Sequence, residues 1–392
     1  MSFIQLVLLG SPDYNIPITE LMKNLLKKLI EAKSTPEVGE IECAKVLADF
    51  FTSAGIESNV EIWDKARANI TATVKSSGEK PALLFVSHLD VVPASKQGWH
   101  SEPFEAAERD GKIFGRGACD MKAGLAAAAT AIAEIKKSGV QLKGDVIFAA
   151  TAGEETDSIG IKKFLESFNS KENNLCGAIV PEPTGFELIT AHRGLLWLEI
   201  TTKGKTAHGS MPHLGINAIE SMREFLNEFE HYDLATVKDK LLGTGSKSVN
   251  KIKGGSATNV VPDKCTAQLD IRTIAEHNHS EIQNDIEAIF AKISQTKKDF
   301  SAAIEVIRSV EALKTNSGCA FVNDLKKITG NPETAAAQFT TDAPFIAELN
   351  IPVVIFGPGK PDICHKPDEY IEIQDIQRAI EFYKKIILHF AC

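Results

Sequence analysis

The sequence of 392 residues lacks the long apolar runs that membrane-spanning helices require. No stretch approaches the roughly 20 apolar residues that cross a bilayer, so no membrane partner is expected. A basic excess is also missing, because 43 Lys and Arg stand against 52 Asp and Glu, for a formal net charge of -9. Without a basic stripe to neutralise phosphates, the chain is not expected to bind nucleic acid.

Paired cysteines are missing as well. Seven cysteines are scattered singly, which fits neither a disulfide framework nor a cysteine zinc site. This usage favours a reducing, cytoplasmic compartment. The apolar stretch 3–9 has no Lys or Arg before it, so we expect a short extension ahead of a fold that begins near residue 18, with a signal peptide as the alternative.

The composition, with 43% apolar and 24% charged residues, is typical of a globular protein. The length exceeds one ordinary core and suits two domains. In the first half, helix patterns alternate with short β-branched runs, which indicates an α/β domain with a largely parallel sheet. The predicted helices are 18–32, 40–54 and 123–137, and the predicted strands are 70–74, 82–86, 146–150 and 178–180.

From about residue 194 the pattern changes to strand, helix, two strands and helix, with one more strand as a possible closure. This order is typical of a ferredoxin-like unit, whose open sheet edges could pair with a second copy. The α/β pattern returns after about residue 309, with a strand at 353–356 and a closing helix at 376–389. The first domain is thus predicted in two segments, 1–193 and 310–392, around a second domain at 194–309.

A histidine and an aspartate stand directly after the predicted strand 82–86, in the motif SHLD (87–90). Open α/β sheets place their sites just beyond the carboxyl ends of parallel strands. A neutral imidazole is a natural zinc ligand, and a nearby carboxylate can hold its second nitrogen. His88 is therefore a candidate ligand and Asp90 its supporting carboxylate, although an ordinary loop histidine has the same local pattern.

An aspartate precedes the alanine-rich helix in the motif GRGACDMK (115–122), whose glycines permit a tight loop. Asp120 has two possible roles at this position. Its carboxylate could cap the helix N-terminus, or it could bridge two cations. The local pattern leaves both roles open.

Four more candidate residues follow predicted strands. Glu154 and Glu155 are adjacent, so one carboxylate can bind a metal while the other acts as general base. Glu182 stands between two prolines that hold its backbone rigidly, and His365 follows the last strand. Each fits an ordinary loop when taken singly. Two histidines and three carboxylates at strand ends of one domain suit a pair of zinc-like ions that share one aspartate.

Together with further motifs, these residues resemble the M20 metallopeptidase family, in particular the subgroup that contains succinyl-diaminopimelate desuccinylase and acetylornithine deacetylase. The resemblance covers the chain from about residue 18 to the C-terminus. In the family's order, the motifs are SHLDVVP, GRGACDMK, TAGEE, PEPT, KTAHGSMPHLGINAI, GGSATNVVPD, LDIRT and GPGKPDICHKPDEY. The resemblance implies an α/β zinc-hydrolase catalytic domain with a mostly parallel central sheet, and an inserted α+β ferredoxin-like lid or dimerisation domain.

For the metal centre, the resemblance implies two zinc ions, with Co²⁺ or Mn²⁺ as possible substitutes. One ion would be held by His88, Asp120 and Glu182. The other would be held by Asp120, Glu155 and His365.

For catalysis, the resemblance implies that Glu154 is the general base and that Asp90 supports His88. It also implies a cis peptide bond between Asp120 and Met121. In the second domain, His208 resembles the histidine that polarises the scissile carbonyl from a neighbouring subunit.

For the substrate, Asn259 and Arg272 resemble lid residues that contact a carboxylate, and Gly357 is a further candidate contact. Without the resemblance, Arg272 would be assigned to a surface ion pair and His208 to an ordinary loop. The chain departs from the family pattern at Cys364, which stands where a small residue is usual.

The expected function is hydrolysis of a small N-acyl amino acid, of the N-acetylornithine or N-succinyl-LL-diaminopimelate type, in the biosynthesis of arginine or lysine. The expected assembly is a homodimer through the inserted domain. A dipeptidase or carboxypeptidase of the same family is an alternative. A non-catalytic binding protein on the same fold is an alternative of another class, and it predicts the loss of a ligand or of Glu154.

Overall fold

The computed structural model of the protein describes residues 17–95, 97–168, 174–234 and 237–392. The chain forms two compact units, and the second interrupts the first in sequence. The first unit comprises Met1–Thr190, Thr315–Ala335 and Phe345–Cys392, and the second comprises Ala191–Lys314 and Ala336–Pro344. The apolar stretch 3–9 lies outside the described residues.

The main sheet is built from strands distributed along the first unit. They are β1 (Glu57–Trp63), β2 (Arg67–Val74), β3 (Ala82–His88), β6 (Val146–Thr151), β7 (Leu175–Val180), β8 (Ile189–His192) and β15 (Val353–Ile355). Their order in the sheet is β1-β2-β6-β3-β7-β15-β8. Every residue of β3 and β6 is buried, which is typical of parallel strands covered on both faces.

The main sheet is mixed, with a parallel centre. Strands β6, β3, β7 and β15 pair in parallel, whereas β1, β2 and β8 pair antiparallel to their neighbours. Only residues 64–66 connect β1 to β2, and so short a connection permits only an antiparallel pair. The predicted parallel arrangement is therefore confirmed for the centre of the sheet, and the strands toward its edges pair antiparallel.

Shorter strands complete the sheets. A three-stranded sheet has the order β16-β5-β4, and the remaining two short strands pair with β8. The bounds are β4 (Ala107–Arg109), β5 (Lys112–Phe114), β13 (Leu313–Lys314), β14 (Ala335–Ala337) and β16 (Tyr370–Glu372).

The helices come from both units of the chain. They are α1 (Ile18–Glu31), α2 (Ile41–Ser53), α3 (Ala123–Lys137), α4 (Ile159–Ser167), α5 (Ala218–Glu230), α6 (His279–Thr296), α7 (Ala320–Thr329), α8 (Ala343–Ala347) and α9 (Ile373–Ala391). The alanine-rich α3 is buried along most of its length and packs against α9, because small side chains allow close approach. None of the helices in the described ranges combines the length and the apolar character needed to cross a bilayer.

The second unit contains a four-stranded antiparallel sheet with the order β10-β11-β9-β12. Its strands are β9 (Gly194–Lys203), β10 (Ser246–Gly254), β11 (Lys264–Thr273) and β12 (Ser301–Val310). With α5 and α6, the chain order is β-α-β-β-α-β, which confirms the predicted ferredoxin-like arrangement. Apolar side chains of both helices and of the central strands form its core.

Candidate metal centre

His88 is the last residue of β3, and its side chain is buried. Its Nδ1 lies 2.9 Å from the main-chain carbonyl oxygen of Asp90, which can accept the Nδ1 proton. In the neutral ring this hydrogen bond leaves the lone pair on Nε2. That atom lies 3.3 Å from Asp120 Oδ1 and 3.5 Å from Glu182 Oε1, so it faces two carboxylates.

Asp120 connects the two predicted histidine ligands. Its Oδ1 faces His88, and its Oδ2 lies 3.1 Å from Nε2 of His365. The peptide bond between Asp120 and Met121 is cis, which confirms the prediction. Helix α3 begins only at Ala123 and has no side-chain cap, so capping is not the role of this aspartate.

The remaining predicted ligands lie around Asp120. Nε2 of His365 is 2.9 Å from Glu155 Oε1. Ligand-type atoms of His88, Asp120 and Glu155 all lie within 4.8 Å of one another. The five predicted ligands thus meet in one place, beyond the carboxyl ends of the parallel strands, as open α/β sheets favour.

The carboxylate of Asp90 orders the loop that carries both glutamates. Its Oδ1 accepts the main-chain N–H groups of Gly153 and Glu154 at 2.9 and 3.1 Å, and its Oδ2 accepts that of Glu155 at 3.0 Å. The same carboxylate is 3.7 Å from Nδ1 of His88. Asp90 therefore holds the histidine mainly through its carbonyl, while its charged group fixes the positions of the proposed base and a proposed ligand.

The pKa values of the clustered side chains are shifted because several carboxylates lie close together in a buried space. Burial and the nearby charge of Asp120 raise the pKa of Glu182 and of Glu155. Hydrogen bonds to Asp120 and Glu155 raise the pKa of His365 to about 10. Burial lowers the pKa of His88, but the charges of Glu182 and Asp120 outweigh it and raise that pKa well above its usual value.

Three carboxylates face the Nε2 atoms of two imidazoles here, so the cluster favours positive charge at its centre. Divalent cations would supply that charge, and two imidazoles with three carboxylates are donors that suit zinc-like ions. The residues therefore fit the metal that the sequence predicts.

A buried ion pair that no local pattern predicted supports the backbone at Asp120. The carboxylate of Glu369 is fully buried, and its Oε1 accepts the main-chain N–H groups of Cys119 and Asp120 at 2.9 and 3.0 Å. Nη1 of Arg116 donates to its Oε2 at 2.5 Å. Both residues lie inside quoted motifs, but the pairing joins segments about 250 positions apart, which no local pattern reveals.

Gly357 packs against the segment that carries Glu182. A Cβ on this glycine would stand 2.5 Å from the carbonyl oxygen of Pro181 and 2.6 Å from that of Glu182. Its N–H donates to Oγ1 of Thr184 at 3.2 Å. A glycine is required for this close approach. Contact with a substrate stays a prediction.

In the second unit, His208 and Asn259 lie together while Arg272 lies apart. His208 is exposed, its Nδ1 accepts from Ser210 Oγ at 2.7 Å, and the carbonyl of Asn259 accepts the Gly209 N–H. Arg272 forms a two-point ion pair with Asp270, with Nε at 2.8 Å and Nη2 at 3.1 Å.

The register of the sheet sets the separation of these groups. Arg272 lies opposite Leu195 at the start of β9, whereas His208 follows the far end of that strand, beyond Lys203. The intervening strand measures about 26 Å at about 3.3 Å per residue. Within one chain, His208 and Arg272 are therefore too far apart to contact one small ligand.

Two curated proteins resemble this chain along most of its length. A probable succinyl-diaminopimelate desuccinylase from Staphylococcus epidermidis is 30% identical over 381 residues, covering 88% of this chain and 92% of that protein. An acetylornithine deacetylase from Myxococcus xanthus is 30% identical over 349 residues, covering 87% of this chain and 86% of that protein.

Solved structures share the fold at lower identity. An M20 family metallo-carboxypeptidase from Sulfolobus solfataricus has a TM-score of 0.77 at 19% identity, covering 93% of this chain and 98% of its own. Human carnosine dipeptidase 1 has a TM-score of 0.68 at 17% identity, covering 95% and 97%. The family profile described as Peptidase family M20/M25/M40 matches residues 84–389. The chain therefore belongs to the M20/M25/M40 peptidase family, whose members are metal-dependent hydrolases.

Proposed function

We propose that the protein hydrolyses the amide bond of a small N-acyl amino acid, of the N-acetylornithine or N-succinyl-LL-diaminopimelate type, and releases a carboxylate and a free amine. The observation that carries this proposal is the convergence of five ligand-type side chains around Asp120, with the buried Glu154 on an adjoining loop. The names of two relatives that match along most of the chain give the acyl amino acid class.

The proposed cofactor is a pair of zinc ions, with Co²⁺ or Mn²⁺ as substitutes. His88, Asp120 and Glu182 would hold one ion, and Asp120, Glu155 and His365 the other. When bound, such ions lower the pKa of a water molecule and polarise the carbonyl of the substrate. The distances of Asp120 to both histidines support its place between the two ions.

Proton transfer is assigned to Glu154. It takes the proton of the attacking water and later gives that proton to the leaving amine, as a buried carboxylate with a general-base role can do. Asp90 keeps this glutamate in position through the hydrogen bonds that its carboxylate accepts from the loop.

Substrate binding is assigned to Gly357, Asn259, Arg272 and His208. The guanidinium of Arg272 suits a carboxylate, and its Nη1 lies outside the ion pair with Asp270. His208 would donate to the developing oxyanion. Because it lies a strand's length from Arg272, we propose that a second copy of the chain supplies it.

The proposed assembly is thus a homodimer through the second unit. The edge strands β10 and β12 of its sheet support this assembly, since their outward ladders are open to pairing. Exposed apolar side chains on these strands, among them Ile252 and Ile307, offer surface to bury.

A peptidase of the same family is the second candidate, because solved structures with this fold include a carboxypeptidase and a dipeptidase. It would use the same ligands but would cleave unblocked peptides. A binding protein without catalysis is not favoured, because all five ligand-type residues and Glu154 are present.

The test is release of free amine by the zinc-loaded protein, offered N-acetylornithine, N-succinyl-LL-diaminopimelate and a dipeptide in parallel. We expect cleavage of one acylated substrate, loss of activity with a chelator and recovery with zinc. Cleavage of the dipeptide alone would replace the proposal with the peptidase alternative. If none of the three substrates is cleaved while zinc is bound, the proposed substrate class is contradicted and the proposed metal site is not.

A further inference from the structure

Two cysteine thiols lie beside the metal cluster, each immediately before a proposed ligand. Cys119 precedes Asp120, and Cys364 precedes His365. Their sulfur atoms lie 3.6 and 3.5 Å from one shared acceptor, the carbonyl oxygen of Lys360. The chain thus holds two reduced sulfurs side by side at the site.

The two thiols differ in how firmly they are held. Cys119 is 1% exposed, its N–H is bound by Glu369, and a Cβ on Gly359 would stand 2.5 Å from its sulfur. Cys364 is only partly buried and follows the single helical turn Pro361–Ile363. A small reagent can therefore reach Cys364 directly, whereas Cys119 reacts only with a group already on its neighbour.

The other cysteines serve as internal references. Cys43 and Cys265 are buried, and Cys176, Cys319 and Cys392 are partly buried. None of these five is adjacent in sequence to a proposed ligand, and Cys392, which follows the end of α9, is used as the reference thiol.

We propose that Cys119 and Cys364 form a modification site for low-molecular-weight disulfides such as oxidised glutathione, and that their oxidation to a disulfide weakens the metal centre. In the first step the sulfur of Cys364 attacks the reagent, forms a mixed disulfide and releases one glutathione thiol. In the second step the sulfur of Cys119 attacks Sγ of Cys364, and the second glutathione leaves as a thiol. The two cysteine thiols lose two electrons and two protons, which the oxidised glutathione takes up.

The effect on the metal centre follows from geometry. A disulfide brings its sulfur atoms to about 2.05 Å, so the two thiols must approach each other from their positions around the carbonyl oxygen of Lys360. Because Cys119 is fixed, the segment of Cys364 must move, and His365 moves with it. That histidine has its Nε2 2.9 Å from Glu155 and 3.1 Å from Asp120, so the ligand set loses its alignment. This consequence rests on the proposed ligands, whereas disulfide formation does not.

The test treats the full-length zinc-loaded protein with oxidised glutathione and then measures three quantities. Peptide mass mapping identifies the linked cysteines, competition with a chelating dye gives the zinc affinity, and amine release gives the activity. We expect a Cys119–Cys364 linkage and a fall in zinc affinity of about tenfold or more, the effect of losing support for a metal ligand. Dithiothreitol should reverse both changes.

Matched variants separate the site from other thiols. Cys364→Ser and Cys119→Ser should each keep their zinc affinity in oxidised glutathione, because neither can form the linkage. Cys392→Ser should respond as the unaltered chain does. Two serine variants are used because, if one of them folds poorly, the other still tests the proposal.

Three results would overturn the proposal. Both thiols could still be alkylated after oxidation, glutathione could stay on Cys364 without linkage to Cys119, or the linkage could form with zinc affinity unchanged. Failure of the proposed function is recognised separately. In that case no acylated substrate is cleaved in reducing buffer, while the thiol map and the zinc affinity still decide this inference.

Discussion

The candidate functional side chains of the two units differ in their burial and in their contacts. In the first unit, His88, Asp90 and Glu182 are at most 4% exposed, and hydrogen bonds and ion pairs hold them in contact with one another. In the second unit, His208 and Asn259 are exposed and project from loops at one end of the sheet.

The difference shows how each unit can be completed. Buried carboxylates that crowd together are unfavourable without positive charge, so the cluster in the first unit could hold a metal ion. The exposed groups of the second unit lie a strand's length from Arg272. This contrast agrees with the proposal that the first unit carries the chemistry and the second carries groups for recognition.

The largest effect should come from the proposed base in the first unit. Glu154→Gln should lower kcat by about 10²–10⁴-fold, because the variant cannot take the proton of the attacking water. Zinc content, measured by atomic absorption, should stay unchanged. Glu57→Gln, on an exposed part of β1, is the matched control. Full turnover in a zinc-loaded Glu154→Gln protein would contradict the assignment of Glu154 as the general base.

The next effect tests whether the second unit acts across subunits. His208→Ala should lower kcat by about 10²–10³-fold, the loss expected for one oxyanion donor. Mixing this inactive chain with inactive Glu154→Gln under subunit exchange gives dimers with one site that has both residues. Random pairing should restore about a quarter of the activity of the unaltered protein. No restoration, despite exchange shown by native mass spectrometry, would place His208 and Glu154 in one chain.

A smaller effect concerns the support of Asp120 in the first unit. Glu369→Gln removes the charge that pairs with Arg116, and the zinc affinity should fall by about 10–100-fold. The measurement is a zinc titration in the presence of a competing chelator. Glu348→Gln, at an exposed position, should leave the affinity unchanged. An unchanged affinity in a folded Glu369→Gln protein would show that Asp120 does not need this support.

The smallest effect at neutral pH concerns a buried histidine of the second unit. Burial lowers the pKa of His192 to about 4, and its Nε2 lies 3.1 Å from the hydroxyl of Thr341. In the unfolded chain this histidine binds a proton near pH 6.5, whereas in the folded chain it does so only near pH 4. Its contribution to the free energy of unfolding is therefore fully present above pH 6.5 and is lost as the pH falls from 6.5 to 4. The loss attributable to this group is at most about 3 kcal/mol.

His192→Gln should flatten this part of the pH dependence, as measured by urea unfolding at several pH values. His213→Gln, at an exposed histidine, should keep the slope of the unaltered protein. Equal slopes for all three proteins would show that His192 is accessible to protons in the folded state.

Local patterns predicted a large share of this molecule. The predicted helix 123–137 and the predicted strand 82–86 match α3 and the body of β3. Both were predictable because the pattern of apolar residues within one short segment indicates its secondary structure. Several elements were not predicted, among them β1, β8, α4 and α7. Strand β1 (ESNVEIW) is partly exposed and has few apolar residues, so its pattern is weak.

The sequence by itself determined the donor types and their positions at strand ends, since both are properties of short segments. Only the tertiary structure decided which groups meet. The carboxylate of Asp90 binds the loop at 153–155, Glu369 binds the backbone at Asp120, and Cys119 and Cys364 share the carbonyl oxygen of Lys360. The segments that these contacts join are 63 or more positions apart. The order of strands in the sheet brings them together, and periodicity within a segment carries no information about that order.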